Sequence, residues 1–97
     1  MRYEIILAPE AANDFKRLTA HLRAEVKDAI ERHLRHEPTK TSRGRIKRLR
    51  GLSKPQYRLR VGEVRVFYDV AGFSVEVLAI VAKSQAGAWL KQAGEPI

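Results

Sequence analysis

There is no cysteine among the 97 residues, which excludes a disulfide framework, a thiolate metal site and a thiol nucleophile. Long apolar runs are missing too. The longest, residues 77–82, is too short to cross a bilayer. Arg2, Tyr3 and Glu4 after Met1 open an alternating pattern unlike a charged leader followed by an apolar stretch. The expectation is a soluble, cytoplasmic protein with no membrane partner. Negative charge is scarce as well: 19 Lys and Arg stand against 11 Asp and Glu, a formal net charge of +8. Such a balance favours nucleic acid or another polyanion as partner, provided that the charge is clustered.

What is present is enough for one core. Hydrophobic residues make up 44% of the chain, no low-complexity tract interrupts it, and residues 1–97 read as a single domain of common size. Tyr3, Ile5 and Leu7 alternate with Glu4 and Ile6, so residues 2–7 read as a strand that Pro9 stops. Ala12, Phe15 and Leu18 then recur at helical spacing. After a break near Thr19, a second apolar stripe runs through Leu22, Val26, Ala29, Ile30, His33 and Leu34 until Pro38 ends it. Residues 39–56 are polar and irregular, with a short strand expected around residues 46–49. From Tyr57 to Val70 the alternation is nearly unbroken, and Gly62-Glu63 marks a tight turn, which predicts a β-hairpin. A second turn at Ala71-Gly72-Phe73 leads into residues 75–82, a strand buried on both faces. A short helix over residues 86–92 ends the chain. The fold class is α+β: a strand, a two-helix hairpin, then an antiparallel meander of three or four strands with the helices on one face.

The hairpin concentrates the charge. With a two-residue turn between Val61 and Val64, one face carries Tyr57, Leu59, Val61, Val64, Val66, Tyr68 and Val70, which is core material. The other carries Arg58, Arg60, Arg65, Phe67 and Asp69. Arg60 opposite Arg65 is a like-charge pair that costs stability. Either Glu63, Asp69 and Glu76 neutralise these arginines in a surface network, or the face binds a polyanion. Arg43, Arg45, Lys47, Arg48, Arg50 and Lys54 precede or flank the hairpin and Lys83 follows it, so cations outnumber anions and the polyanion site is favoured. Guanidinium groups fork onto phosphate oxygens and can stabilise charge growing on a phosphoryl group. Phe67 and Trp89 are candidates to stack on bases, with Trp89 as a core plug the alternative. His33 and His36 are spaced like some metal ligands, but no cysteine or carboxylate triad completes a shell with His21. They read as solvated or half-buried helix residues, and no metal is expected.

Leu49-Arg50-Gly51-Leu52, the run Tyr57-Arg58-Leu59-Arg60-Val61-Gly62-Glu63-Val64-Arg65-Val66-Phe67-Tyr68, and a β-run ending at Lys83 together resemble the RelE/ParE superfamily of toxin-antitoxin toxins. Tyr3 to Leu7, Ala11-Ala12 with Phe15 and Leu18, and Pro38 fit as well. The resemblance implies the RelE-like fold and, in its RelE branch, a metal-independent, cofactor-free endoribonuclease. That enzyme cuts mRNA on the ribosome by attack of a ribose 2′-hydroxyl on the adjacent phosphate and so inhibits translation. It places Arg58, Arg60, Arg65 and Lys83 in the catalytic positions, while charge clustering and aromatic character make Arg43, Arg45, Lys47, Arg48, Arg50, Lys54, Phe67 and Trp89 the expected RNA contacts. The family often has a tyrosine near the position of Trp89. Both first basic positions here are arginine, which almost never deprotonates, so the general base is unassigned, Lys83 being the first titratable candidate before Lys54 and Glu63. The implied partners are the ribosome with its mRNA and an acidic, RelB-like antitoxin covering a toxin that is monomeric alone. A ParE-like DNA gyrase inhibitor and a non-catalytic RNA-binding module are the alternatives.

Overall fold

The computed structural model describes residues 2–97. Strand β1 (Glu4–Leu7) leads into α1 (Pro9–Arg17) and α2 (Ala20–Ala29), which runs on through one π turn, Ile30–Leu34. Pro9 opens α1, where the missing N–H costs nothing. The predicted break at Thr19 is an N-cap, its hydroxyl accepting from the Leu22 N–H at 3.3 Å. Five further strands follow: β2 (Ile46–Arg48), β3 (Leu52–Lys54), β4 (Tyr57–Val61), β5 (Val64–Ala71) and β6 (Ser74–Ala82). Helix α3 (Lys83–Ala93) and β7 (Glu95–Pro96) end the chain.

The main sheet has the order β1-β6-β5-β4-β2. Its β4–β5 register is the predicted one, with Arg60 opposite Arg65, Leu59 opposite Val66 and Arg58 opposite Phe67. The meander is antiparallel as expected, but β1 pairs with β6 in parallel, Glu4 opposite Ser74 through Leu7 opposite Val77, so the sheet is mixed and has five strands. A second, two-stranded sheet joins β3 to β7, a pairing too short to leave a pattern in sequence.

Helices α1 and α2 cover one face. Ala11, Val26, Ile30 and Leu34 pack against Leu59, Val64, Val66, Tyr68, Val75, Val77 and Ile80 in one cluster. Each fully buried valine or leucine contributes on the order of 1.5–3 kcal/mol. Tyr68 stacks on Tyr57 at 5.4 Å and donates its hydroxyl to the Pro38 carbonyl at 2.7 Å, fixing the start of the loop that leads to β2. Burial pushes its phenol far above the usual range.

The C-terminal helix stands apart from the helical hairpin. Helix α3 lies across the opposite side, where Trp89 stacks on Phe67 with centroids 4.9 Å apart and planes 8° off parallel. The reason is chemical: that side is not wholly polar, since Phe67 and its β6 partner Ala79 are both fully buried and need a cover. Helix α3 also starts at Lys83, three residues before the expected start.

Candidate functional site

The hairpin turn is built on Gly62, whose φ is +57° while that of Glu63 is not positive, the pattern of a type II′ turn. This turn suits the right-handed twist of β4 and β5 and fixes which side chains share a face. On the face away from α1 and α2, Arg58, Arg60 and Arg65 come together. Burial lowers the affinity of the Arg58 guanidinium for its proton, and the charges of Arg65 and Arg60 push the same way. All three therefore share one field, although arginine stays protonated under any working condition.

Their environments differ. Arg60 is exposed, and its guanidinium packs beside Gly44, 3.5 Å from where a Cβ would stand; Gly44 itself has φ +91°. The Nε of Arg58 is buried with no acceptor. Arg65, expected on the open surface, is only 7% exposed. Its guanidinium folds back over the turn, donating to the Gly62 carbonyl at 2.7 Å and the Val64 carbonyl at 3.0 Å.

Among the described residues no carboxylate forms an ion pair with them. The ion pairs of the described residues are His21–Glu25, Arg32–Asp28, Arg35–Glu31 and Lys40–Glu37, none of which includes a hairpin arginine. Asp69 instead accepts the Gln56 N–H at 2.7 Å, while the Gln56 side chain accepts from the Val70 N–H at 2.9 Å. Burial raises the Asp69 carboxyl above its ordinary range, and Glu76, directly opposite in register, adds to the rise. A surface network around the arginines is thus not formed.

Lys83 joins this group through the backbone. Its N–H donates to the Glu63 carbonyl at 2.7 Å, one step beyond the Val64–Ala82 pair, so the first residue of α3 stands beside the hairpin tip. Glu63, Ala82, Lys83 and Ser84 line a depression of about 420 Å³. Arg60 and Gly62 line a second, of about 390 Å³, with the loop from Ser42 to Arg45. A third, of about 590 Å³, lies among Arg43, Lys47, Arg48 and Arg50. Lys47 stands opposite Arg58 across β2 and β4, and Arg48 lies over the Tyr57 ring at 5.3 Å while donating to the Gln56 carbonyl at 2.7 Å. The basic loop and the hairpin therefore make adjoining surface.

Three expected contacts are not brought there. Lys54 sits on β3 and lines a separate cleft with Pro9, Leu78, Trp89 and Glu95, because β3 turns away to pair with β7. Phe67 is 0% exposed, so neither ring face is free for a base. Trp89 gives one face to Phe67, closer to the core-plug alternative than to an open platform.

His33 has a partner that its helical spacing does not reveal: its Nε2 lies 3.0 Å from Nη1 of Arg45. Burial, then Arg45 and Arg32, lowers this imidazole below its ordinary value, and because a guanidinium N–H can only donate, Nε2 is the acceptor. The helical stripe gave His33 a half-buried place; nothing local pointed to Arg45.

A cluster of guanidinium and ammonium groups that form no ion pair among the described residues can hold a phosphodiester and stabilise the charge that grows on its oxygens during transfer. Comparisons with known proteins agree with the fold. The profile of a family described as ParE toxin of type II toxin-antitoxin system, parDE, matches residues 5–87. The solved toxin-antitoxin complex RelBE2 from Mycobacterium tuberculosis is similar at TM-score 0.70 and 22% identity, covering 84% of this chain and 99% of that one. The archaeal RelE-RelB complex from Pyrococcus horikoshii matches at TM-score 0.71 and 19% identity, covering 88% and 99%. A mutant of the E. coli toxin RelE in the free state matches at TM-score 0.70 and 18% identity, covering 96% and 99%. A search of curated proteins finds no match.

Proposed function

Because the chain belongs to the ParE toxin family of type II toxin-antitoxin systems, in the RelE/ParE superfamily, we propose that it is the RNA-cutting kind of toxin, a ribosome-dependent mRNA endoribonuclease of the cytoplasm. The observation that carries this reading is the set of Arg58, Arg60 and Arg65 on one face of the hairpin, with Lys83 beside its tip, none of them in an ion pair among the described residues. Three mutually repelling guanidinium groups are costly to keep together, and the cost is offset when a phosphate enters.

In this reading the guanidinium groups grip the scissile phosphate and stabilise the added negative charge as the ribose 2′-hydroxyl attacks. Arg43, Arg45, Lys47, Arg48 and Arg50 hold neighbouring phosphates. The same surface at net charge +8 suits an acidic, RelB-like antitoxin as its cover.

The test is primer extension on an mRNA under translation in a purified system, with and without the toxin. Codon-phased cuts that require ribosomes are the expected result. Intact mRNA with stalled translation points to a binding module. Intact mRNA with normal translation, followed by loss of supercoiling activity in a gyrase assay, sinks the RNase reading in favour of gyrase poisoning, which the ParE description of the family keeps in view.

A further inference from the structure

Cleavage by a 2′-hydroxyl needs a group that takes a proton, and arginine cannot serve. The histidines are placed elsewhere or occupied. His33 is held against Arg45 at 3.0 Å and His21 is paired with Glu25 at 2.8 Å. His36 follows the helical hairpin, outside the three basic depressions. Lys54 lies in the separate cleft by β7.

Glu63 is differently situated. It lines the depression at the hairpin tip, whereas Glu37, the carboxylate of the depression between His33 and Arg45, is paired with Lys40. The Glu63 side chain is in no ion pair among the described residues, although the chain has ion pairs elsewhere. Its backbone is fixed three ways: Gly62 sets the turn, Arg65 bonds the Gly62 carbonyl, and Lys83 N–H bonds its own carbonyl at 2.7 Å. Glu25 of α2 also approaches the turn, its carboxylate 3.9 Å from where a Cβ on Gly62 would stand, but it is paired with His21. Lys83 shares the depression with Glu63.

We propose that Glu63 is the general base and Lys83 the general acid of the reaction, working across the depression at the hairpin tip. The assignment rests on the RNase reading above. Glu63 takes the proton of the 2′-hydroxyl as the O2′–P bond forms. The P–O5′ bond breaks, and the leaving 5′-oxygen takes a proton from the Lys83 ammonium. The products are a 2′,3′-cyclic phosphate and a 5′-hydroxyl end, and a proton returns from Glu63 to Lys83 through water. Arg58, Arg60 and Arg65 neutralise the phosphoryl oxygens throughout and transfer no proton.

The experiment is single-turnover cleavage of mRNA on programmed ribosomes by wild type, Glu63→Gln and Lys83→Met, over a pH series. A second mRNA carries sulfur in place of the scissile 5′-bridging oxygen, a leaving group that departs without a proton. Glu63→Gln is expected to slow cleavage roughly 100-fold or more, to lose the acid limb of the pH profile, and to bind ribosomes like wild type. The sulfur linkage is expected to restore Lys83→Met and not Glu63→Gln. Cutting by Glu63→Gln at the wild-type rate and pH profile overturns the assignment alone. Intact mRNA with the wild-type toxin removes the RNase reading and the assignment with it.

Discussion

At the scale of single residues, Arg60 is the cleaner probe of the site than Arg65. Arg65 staples the turn through two carbonyl acceptors, so its removal disturbs the fold as well as the charge. Arg60 is exposed and makes no ion pair among the described residues. Arg60→Ala should lower single-turnover cleavage roughly 100-fold, the usual cost of losing one oxyanion donor, while thermal melting stays at or above the wild-type temperature because a repulsion is relieved. A melting point that falls with activity contradicts this. Asp69 gives a second, independent prediction. Its folded-state carboxyl is raised above the unfolded value, so the fold holds this proton more tightly. The resulting stability is present at low pH and lost as pH rises through the folded value. Asp69→Asn keeps an acceptor for Gln56 N–H and removes the titration, so its melting temperature relative to wild type should rise from acid to neutral pH; a constant difference rejects the argument. The facing of Arg60 and Arg65 was legible in sequence because alternation and a Gly-led turn fix register locally. The burial of Arg65 was not, since it depends on how a long side chain folds back over a turn.

Among the elements, α3 is the one least determined by its own sequence. None of its residues is fully buried, and its hold on the sheet runs through the Trp89–Phe67 stack. Trp89→Ala should therefore cost about 1–3 kcal/mol, less than a fully buried Trp because Trp89 is half-buried. Faster hydrogen exchange should be confined to residues 83–93; loss of protection spread across the whole sheet would show that α3 is not a separable cover. The same dependence explains the reading of Phe67 as a base-stacking residue. Period-2 alternation assigns it to the face away from α1 and α2, correctly, but says nothing about a helix arriving from 22 residues downstream. Lys54 was misplaced for a related reason: it is near the basic run in sequence, and only the pairing of Leu52 with Pro96 carries it away. The two helices and the hairpin were legible because each has a local period, and β6 because it is a continuous apolar run, while β7 and the parallel seat of β1 leave no such local mark.

For the molecule as a whole, the basic loop and the hairpin adjoin, so binding to RNA should be governed by counterion release. Replacing Arg43, Lys47 and Arg50 together by Gln should flatten the plot of log affinity for a short oligoribonucleotide against log salt by about 2, at roughly 0.7 per phosphate contact on single strands. An unchanged slope means that these side chains touch no phosphate. The mixed sheet carries a different consequence. β1 lies beside β6, with Glu4 opposite Ser74, so the first strand to be synthesised waits for the last strand of the main sheet. Contacts so distant along the chain form late. Until β6 and Lys83 have left the exit tunnel, a nascent chain has neither its edge strand seated nor its lysine beside the turn.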